Sequence, residues 1–154
     1  MKNLLISVGK KSKKAFSNQV NTKIKDKVLK DYSNYIKKYR KEIIRQNSKD
    51  IKNAKRKKLT SSFIDRLTLN ESRINIMCQG LEEISTLADP IGKKLESWTR
   101  PNGLKIEKVS VPLGIIGIIY ESRPNVTVDA GSLCIKSGNV SILRGGSDSF
   151  HTSK

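Results

Sequence analysis

Leu113-Gly-Ile-Ile-Gly-Ile-Ile-Tyr120 and, further along, Val140-Ser-Ile-Leu-Arg144 are the two runs on which the fold turns. The first is nearly continuous in β-branched apolar residues and predicts a strand buried on both faces, as in a parallel sheet. The second is a shorter run of the same kind, ended by Gly145-Gly146-Ser147. Between them, Thr127 to Lys136 reads as an apolar helix closed by Ser137-Gly138-Asn139, glycine being the usual residue just past a helix end. Residues 109–147 therefore read as one β-α-β crossover, the unit from which doubly wound α/β sheets are built.

Upstream of this unit, Leu95-Glu-Ser-Trp98, the turn Arg100-Pro-Asn-Gly103 and the alternating Leu104 to Val111 predict a β-hairpin. The first 90 residues read as helices. Val20, Ile24, Val28, Tyr32, Ile36, Tyr39 and Ile43 recur at spacings of three and four, the stripe of an amphipathic helix. A second helix is expected over Ser48 to Arg56 and a short helical turn over Ser62 to Leu67. Thr68-Leu-Asn-Glu71 has the spacing of a capping box, opening a helix through about Leu87 that Asp89-Pro90 stops.

Ligands of open α/β sheets bind beyond the carboxyl ends of the strands, and two clusters fall there. After the second strand, Arg144 offers a forked cation and Gly145, Gly146 and Ser147 let backbone approach a phosphate or ribose. The stretch is neither a GxGxxG fingerprint nor a Walker A loop, and taken alone it is better explained as a plain β-α turn. After the first strand come Glu121, Arg123 and Asn125. Asn125 could donate its amide to a developing oxyanion, while Glu121 and Arg123 could contact substrate or simply pair with each other.

Composition narrows the classes. Of a formal net charge of +17 over 154 residues, residues 1–60 carry nearly all: 20 Lys/Arg against 4 acids, compared with 11 against 10 in the remainder. Such asymmetry can mark a nucleic-acid surface. Here the lysines interleave with apolar positions, with no helix-turn-helix, zinc or RNP pattern, so they read as solvated helix faces. Nucleic-acid binding through residues 1–60 stands as the alternative. No run of about 18 uncharged apolar residues is present to span a membrane. Cys78 and Cys134 read as buried thiols of a reducing compartment, and with the lone His151 they predict no metal site.

The string Val111-Pro-Leu-Gly-Ile-Ile-Gly-Ile-Ile-Tyr-Glu-Ser-Arg-Pro-Asn-Val-Thr-Val-Asp-Ala130 closely resembles gamma-glutamyl phosphate reductases (glutamate-5-semialdehyde dehydrogenases), and so does Leu133-Cys-Ile-Lys-Ser-Gly-Asn-Val-Ser-Ile-Leu-Arg-Gly-Gly-Ser147. Weaker echoes lie in Asp65-Arg-Leu-Thr-Leu69 and Leu87-Ala-Asp-Pro-Ile-Gly92. The resemblance implies an α/β fold of the aldehyde dehydrogenase type. Residues 1–94 would be the N-terminal helical part of a Rossmann-like cofactor domain, residues 95–111 a β arm used in oligomer contact, and residues 112–154 the start of the cofactor-binding β-α-β unit, incomplete here.

It further implies a cytoplasmic homo-oligomeric enzyme of proline biosynthesis. NADPH would reduce L-glutamyl 5-phosphate to glutamate 5-semialdehyde with release of phosphate, and a glutamate 5-kinase would be the pathway neighbour. In such a mechanism a cysteine thiolate displaces phosphate and the resulting thioester is reduced. Asn125 would hold the oxyanion, although it arrives two residues later than in ordinary aldehyde dehydrogenases. Arg144, in place of the superfamily's ribose-contacting lysine, would suit the extra phosphate of NADPH, with Gly145, Gly146 and Ser147 on the same edge. The nucleophilic cysteine is expected beyond residue 154, so this chain is expected to be inactive and unstable alone.

Overall fold

Asn21 opens the longest element: its side chain accepts the Ile24 N–H at 3.0 Å, and the chain then stays helical to Arg56. In the computed structural model, which describes residues 2–18 and 20–154, helix α1 covers Lys2–Ser17, α2 Thr22–Arg56, α3 Ser61–Leu67 and α4 Glu71–Thr86. Strands β1 (Lys94–Thr99) and β2 (Lys105–Val109) follow, then β3 (Ile115–Ile119), α5 (Pro124–Lys136) and β4 (Val140–Arg144). A single 3-10 turn, Ser147–Ser149, leads into α6, Phe150–Ser153.

The helix α2 runs 35 residues, so the break expected between Ile43 and Ser48 does not exist. Asn47, in the gap expected between the two helices, lies on the packed face and is fully buried. Its Nδ2 donates to the Leu67 carbonyl at 2.9 Å, and its Oδ1 accepts the Leu69 N–H at 2.8 Å. One turn on, Asp50 accepts the His151 N–H at 3.1 Å, the Thr152 N–H at 2.8 Å and the Thr152 hydroxyl at 2.6 Å. These groups satisfy backbone that would otherwise be buried without partners.

The expected apolar stripe is also displaced. Ile36 is buried and Tyr32 and Ile43 pack against the core, but Val20, Ile24, Val28 and Tyr39 are 42–49% exposed. The row that faces inward is Lys25, Leu29, Ser33, Ile36, Asn47, Asp50 and Ala54, four of the seven polar or charged and therefore invisible to a hydrophobicity pattern. Leu29 and Ile36 meet Leu69, Ile74, Met77, Cys78, Leu81 and Val128 to form the core.

The N-terminal turn of α2 is a second polar junction. The ammonium group of Lys25, itself buried, lies 2.8 Å from Asp89, and Thr22 donates to the same carboxylate at 2.6 Å. The neighbouring Asp26 receives the buried Lys136 ammonium at 2.5 Å, which also donates to the Ser85 carbonyl at 3.1 Å. One helical turn thus ties the loop before the hairpin, the end of α4 and the end of α5 together. Gly138 sits against the same junction with φ +67, and a Cβ there would come within 3.2 Å of Pro112, so both backbone and space require glycine.

Two boundaries differ from the sequence reading. Thr68 ends α3, its hydroxyl donating back to the Ile64 carbonyl at 2.7 Å, and Asn70 caps α4 by accepting the Arg73 N–H at 2.8 Å. The crossover helix starts at Pro124 rather than Thr127, because proline is pre-shaped for the first helical position and its missing N–H costs nothing there.

The hairpin and the crossover are present. Strands β1 and β2 pair antiparallel around the Arg100–Gly103 turn, with a bulge between Lys94 and Glu96. Strands β3 and β4 pair parallel, from Ile115 opposite Val140 to Ile119 opposite Arg144. Strand β3 is not buried on both faces, however: Ile115 and Ile119 are exposed and alternate with half-buried Ile116 and Ile118. The described sheet has only these two strands, with α1 packed on both of them and α5 on β4. No described helix is long and apolar enough to cross a membrane.

Asp50→Ala removes three hydrogen bonds to buried groups and is expected to destabilise the protein by about 2–4 kcal/mol, read as a lower urea midpoint. The second junction carries a pH signature. Burial alone would raise the Asp89 carboxyl, but hydrogen bonds from Lys25, Thr22 and the Ile91 N–H outweigh it and hold Asp89 at about 2, below its ordinary 3.8. The stabilisation is therefore complete above the ordinary value and lost as pH falls through the folded one. Urea midpoints of wild type and Asp89→Asn are expected to differ at about pH 5 and to converge near about pH 2.

Candidate functional site

The carboxyl edge of the β3–β4 pair holds every residue singled out from the sequence. Tyr120 extends the ladder by donating its N–H to the Arg144 carbonyl at 3.1 Å, so the two loops leave the sheet side by side. Arg123 precedes a proline and takes extended backbone, φ −120 and ψ 98, which turns the chain into α5. Asn125 consequently lies in the first turn of that helix.

The two loops touch closely. The Tyr120 ring lies over Gly145, and its hydroxyl shares a 2.7 Å hydrogen bond with Thr127. A Cβ at Gly146 would fall 2.2 Å from Ser122 Oγ and 2.9 Å from Ser122 N, so the glycine is demanded by the facing loop. Arg144 is exposed and has one nitrogen engaged, Nη1 donating to the Gly145 carbonyl at 2.7 Å. Ser147 is exposed at the start of the 3-10 turn.

From this edge the residues divide between two clefts. Arg123 and Asn125 line the larger, about 420 Å³, together with Asp65, Arg66, Arg73 and Asp129. Ser147 lines the other, about 280 Å³, with Arg56, Lys57, Asp148 and His151. Arg144, Gly145 and Gly146 line neither. Glu121 stands at the rim of the larger cleft, receiving Arg66 at 3.4 Å and Arg123 at 3.5 Å.

Within the larger cleft Asn125 Nδ2 donates to Asp129 Oδ2 at 3.2 Å, one turn along α5. Burial pushes the Asp129 carboxyl up, and the hydrogen bond from Asn125 opposes that rise. Arg73 is held by the Asp65 carboxylate at 2.8 Å, by the Thr68 carbonyl at 2.8 Å and by the Asp65 carbonyl, and so builds the wall. The sequence reading did not select Arg66, Arg73 or Asp129. Arg66 stands in the Asp65–Leu69 string already noted, but no spacing indicates that α3 and the start of α4 face α5.

Both cysteines are buried. Burial pushes the Cys134 thiol up, away from the thiolate a nucleophile needs. The basic N-terminal region does not present one uniform cationic face. Lys37, Arg40, Arg45 and Lys57 pair with Glu82, Glu71, Glu42 and Asp148 respectively, and Lys25 is buried in the core-side junction.

No protein-family profile matches the chain. Individual proteins do. The chain is 48% identical over 152 residues to the gamma-glutamyl phosphate reductase of Brucella suis, a match covering 97% of this chain and 36% of that protein. It is 60% identical over 113 residues to the enzyme of the same name from Allorhizobium ampelinum, covering 73% of this chain and 26% of that one. Among solved structures, the gamma-glutamyl phosphate reductase of Thermotoga maritima superposes with a TM-score of 0.93 at 42% identity, over 97% of this chain and 36% of that one. The chain thus spans about a third of the relatives it matches, and its α/β fold is theirs over that span.

The Gly146 contact is directly testable. Gly146→Ala must displace Ser122, which is buried, and is expected to cost about 1–3 kcal/mol in thermal unfolding. Pairing it with Ser122→Gly, which removes the opposing Cβ and hydroxyl, is expected to recover part of that loss.

Proposed function

We propose, on the premise that this chain is a partial N-terminal region of a gamma-glutamyl phosphate reductase, that it contributes the oxyanion donor and part of the cofactor edge of that enzyme. The reaction is reduction of L-glutamyl 5-phosphate by NADPH to glutamate 5-semialdehyde and inorganic phosphate, within proline biosynthesis in the cytoplasm. The observation that carries the reading is the shared cleft of Arg123 and Asn125, in the stretch through which the chain resembles these enzymes.

The edge residues fit an anionic dinucleotide. Arg144 presents an exposed guanidinium with nitrogens to spare, and Gly145, Gly146 and Ser147 lay backbone and a hydroxyl beside it at the end of a parallel strand. When bound, the nicotinamide supplies the hydride. The chain's own residues bind and orient. Asn125 exchanges its Asp129 partner for the acyl oxygen and stabilises the negative charge that develops as the acyl carbon becomes tetrahedral. Asp129 holds the amide in the meantime, fixing its direction before substrate arrives. Glu121 and Arg123 form the rim facing substrate. The hairpin of residues 95–111 serves as an oligomer contact, and the substrate is the product that a glutamate 5-kinase would make.

In the full-length enzyme Asn125→Ala is expected to lower kcat by about 10²–10³-fold with little change in KM, the signature of an interaction realised in the transition state. Steady-state kinetics with glutamyl phosphate or, in reverse, with the semialdehyde checks it. An equal fall for Asn125→Ala and Asp129→Ala with KM raised in both would instead assign the pair to ground-state binding.

A further inference from the structure

Arg66 closes α3 and Arg123 caps α5, yet both guanidinium groups reach one carboxylate, that of Glu121. At 3.4 and 3.5 Å both contacts lie at the outer limit of hydrogen bonding, and the Glu121 side chain is 64% exposed. Arg123 Nε is buried and is the one side-chain polar atom found without a partner among the described residues. Arg66 and Arg123 line the cleft that also holds Asn125. Arg66 also donates to the Ser62 carbonyl at 3.3 Å and to the Ser62 hydroxyl at 3.2 Å, which leaves further N–H donors of the two guanidinium groups free beside the proposed reacting carbon.

We infer that the Arg66–Arg123 pair is the seat of a phosphoryl group, with Glu121 as a placeholder that yields when the anion arrives. This inference rests on the reaction proposed above. A phosphoryl group presents several oxygens to forked donors, and paired guanidinium groups take such an anion bidentately. In the acyl phosphate, the bridging oxygen is bonded to the same carbon as the acyl oxygen held by Asn125. Arg123, two residues from Asn125, is placed to take the leaving group. In the forward direction the cysteine thiolate that the resemblance implies bonds to that carbon, the bond from the carbon to the bridging oxygen breaks, and phosphate departs with that electron pair. The two electrons that reduce the resulting thioester would come, as hydride, from a bound nicotinamide. In reverse, inorganic phosphate enters the same seat. The substrate's own α-carboxylate offers similar chemistry at its other end, and kinetics separates the two.

The test uses the full-length protein running in reverse: phosphate-dependent oxidation of glutamate 5-semialdehyde with NADP. Arg66→Gln is expected to raise the KM for inorganic phosphate about tenfold or more while the semialdehyde KM stays within about twofold. Glu121→Gln, which removes only the competing carboxylate, is expected to lower the phosphate KM. A purely structural role for Glu121 would not produce that gain. An unchanged phosphate KM in both variants overturns the assignment. A rise confined to the semialdehyde KM also overturns it, giving the arginines to the amino-acid carboxylate. Should wild type show no turnover, the reaction reading fails by itself, and titration with inorganic phosphate followed by phosphorus NMR decides the seat. Broadening lost in Arg66→Gln supports it, and no broadening in wild type overturns it.

Discussion

Buried polar groups on one long helix hold this molecule together. Asn47 and Asp50 near one end of α2, and Lys25 and Asp26 at the other, bind segments that are remote in sequence. A buried charge without partners is costly, so each of these groups tolerates one arrangement of its neighbours and few others. The apolar cluster supplies adhesion, while the polar contacts set register. Through them α2 fixes where α3 ends, where α4 begins and where the chain goes after β4, and those are the segments that form the walls of both clefts.

That division explains what was legible in the sequence. The β-α-β unit, the hairpin and the stop at Asp89-Pro90 were readable because apolar runs, turn residues and proline act locally. The course of α2 was not. Its inward row includes Lys25, Ser33, Asn47 and Asp50, and a hydrophobicity pattern gives such residues to solvent. Thr68 and Asn70 could each cap a helix, and only the packing of α3 decides between them. The two-sided burial expected of β3 failed because Ile115 and Ile119 have no covering element in the described chain.

The site shows the same contrast. The location of Glu121, Arg123, Asn125 and Arg144 to Ser147 is readable from the sequence, because the ends of parallel strands are predictable places. That Arg66 and Arg73 line the same cleft is not readable, because their position depends on how α3 and α4 pack, which no local spacing records. The two clusters expected at this edge lie partly in separate clefts, Arg123 and Asn125 in one and Ser147 in the other, while Gly145 and Gly146 pack against Tyr120 and Ser122.

The close contact of Ser122 with Gly146 has a consequence for how such a sequence can change. Ser122 and Gly146 occupy each other's space, from opposite loops, with no slack for a methyl group. Neither position can drift freely on its own. Enlarging residue 146 is easier for a lineage that has first pared back residue 122, although the residue-122 backbone N still lies close, so the order of substitution matters as much as their sum. Two positions distant in the chain are thereby inherited as one.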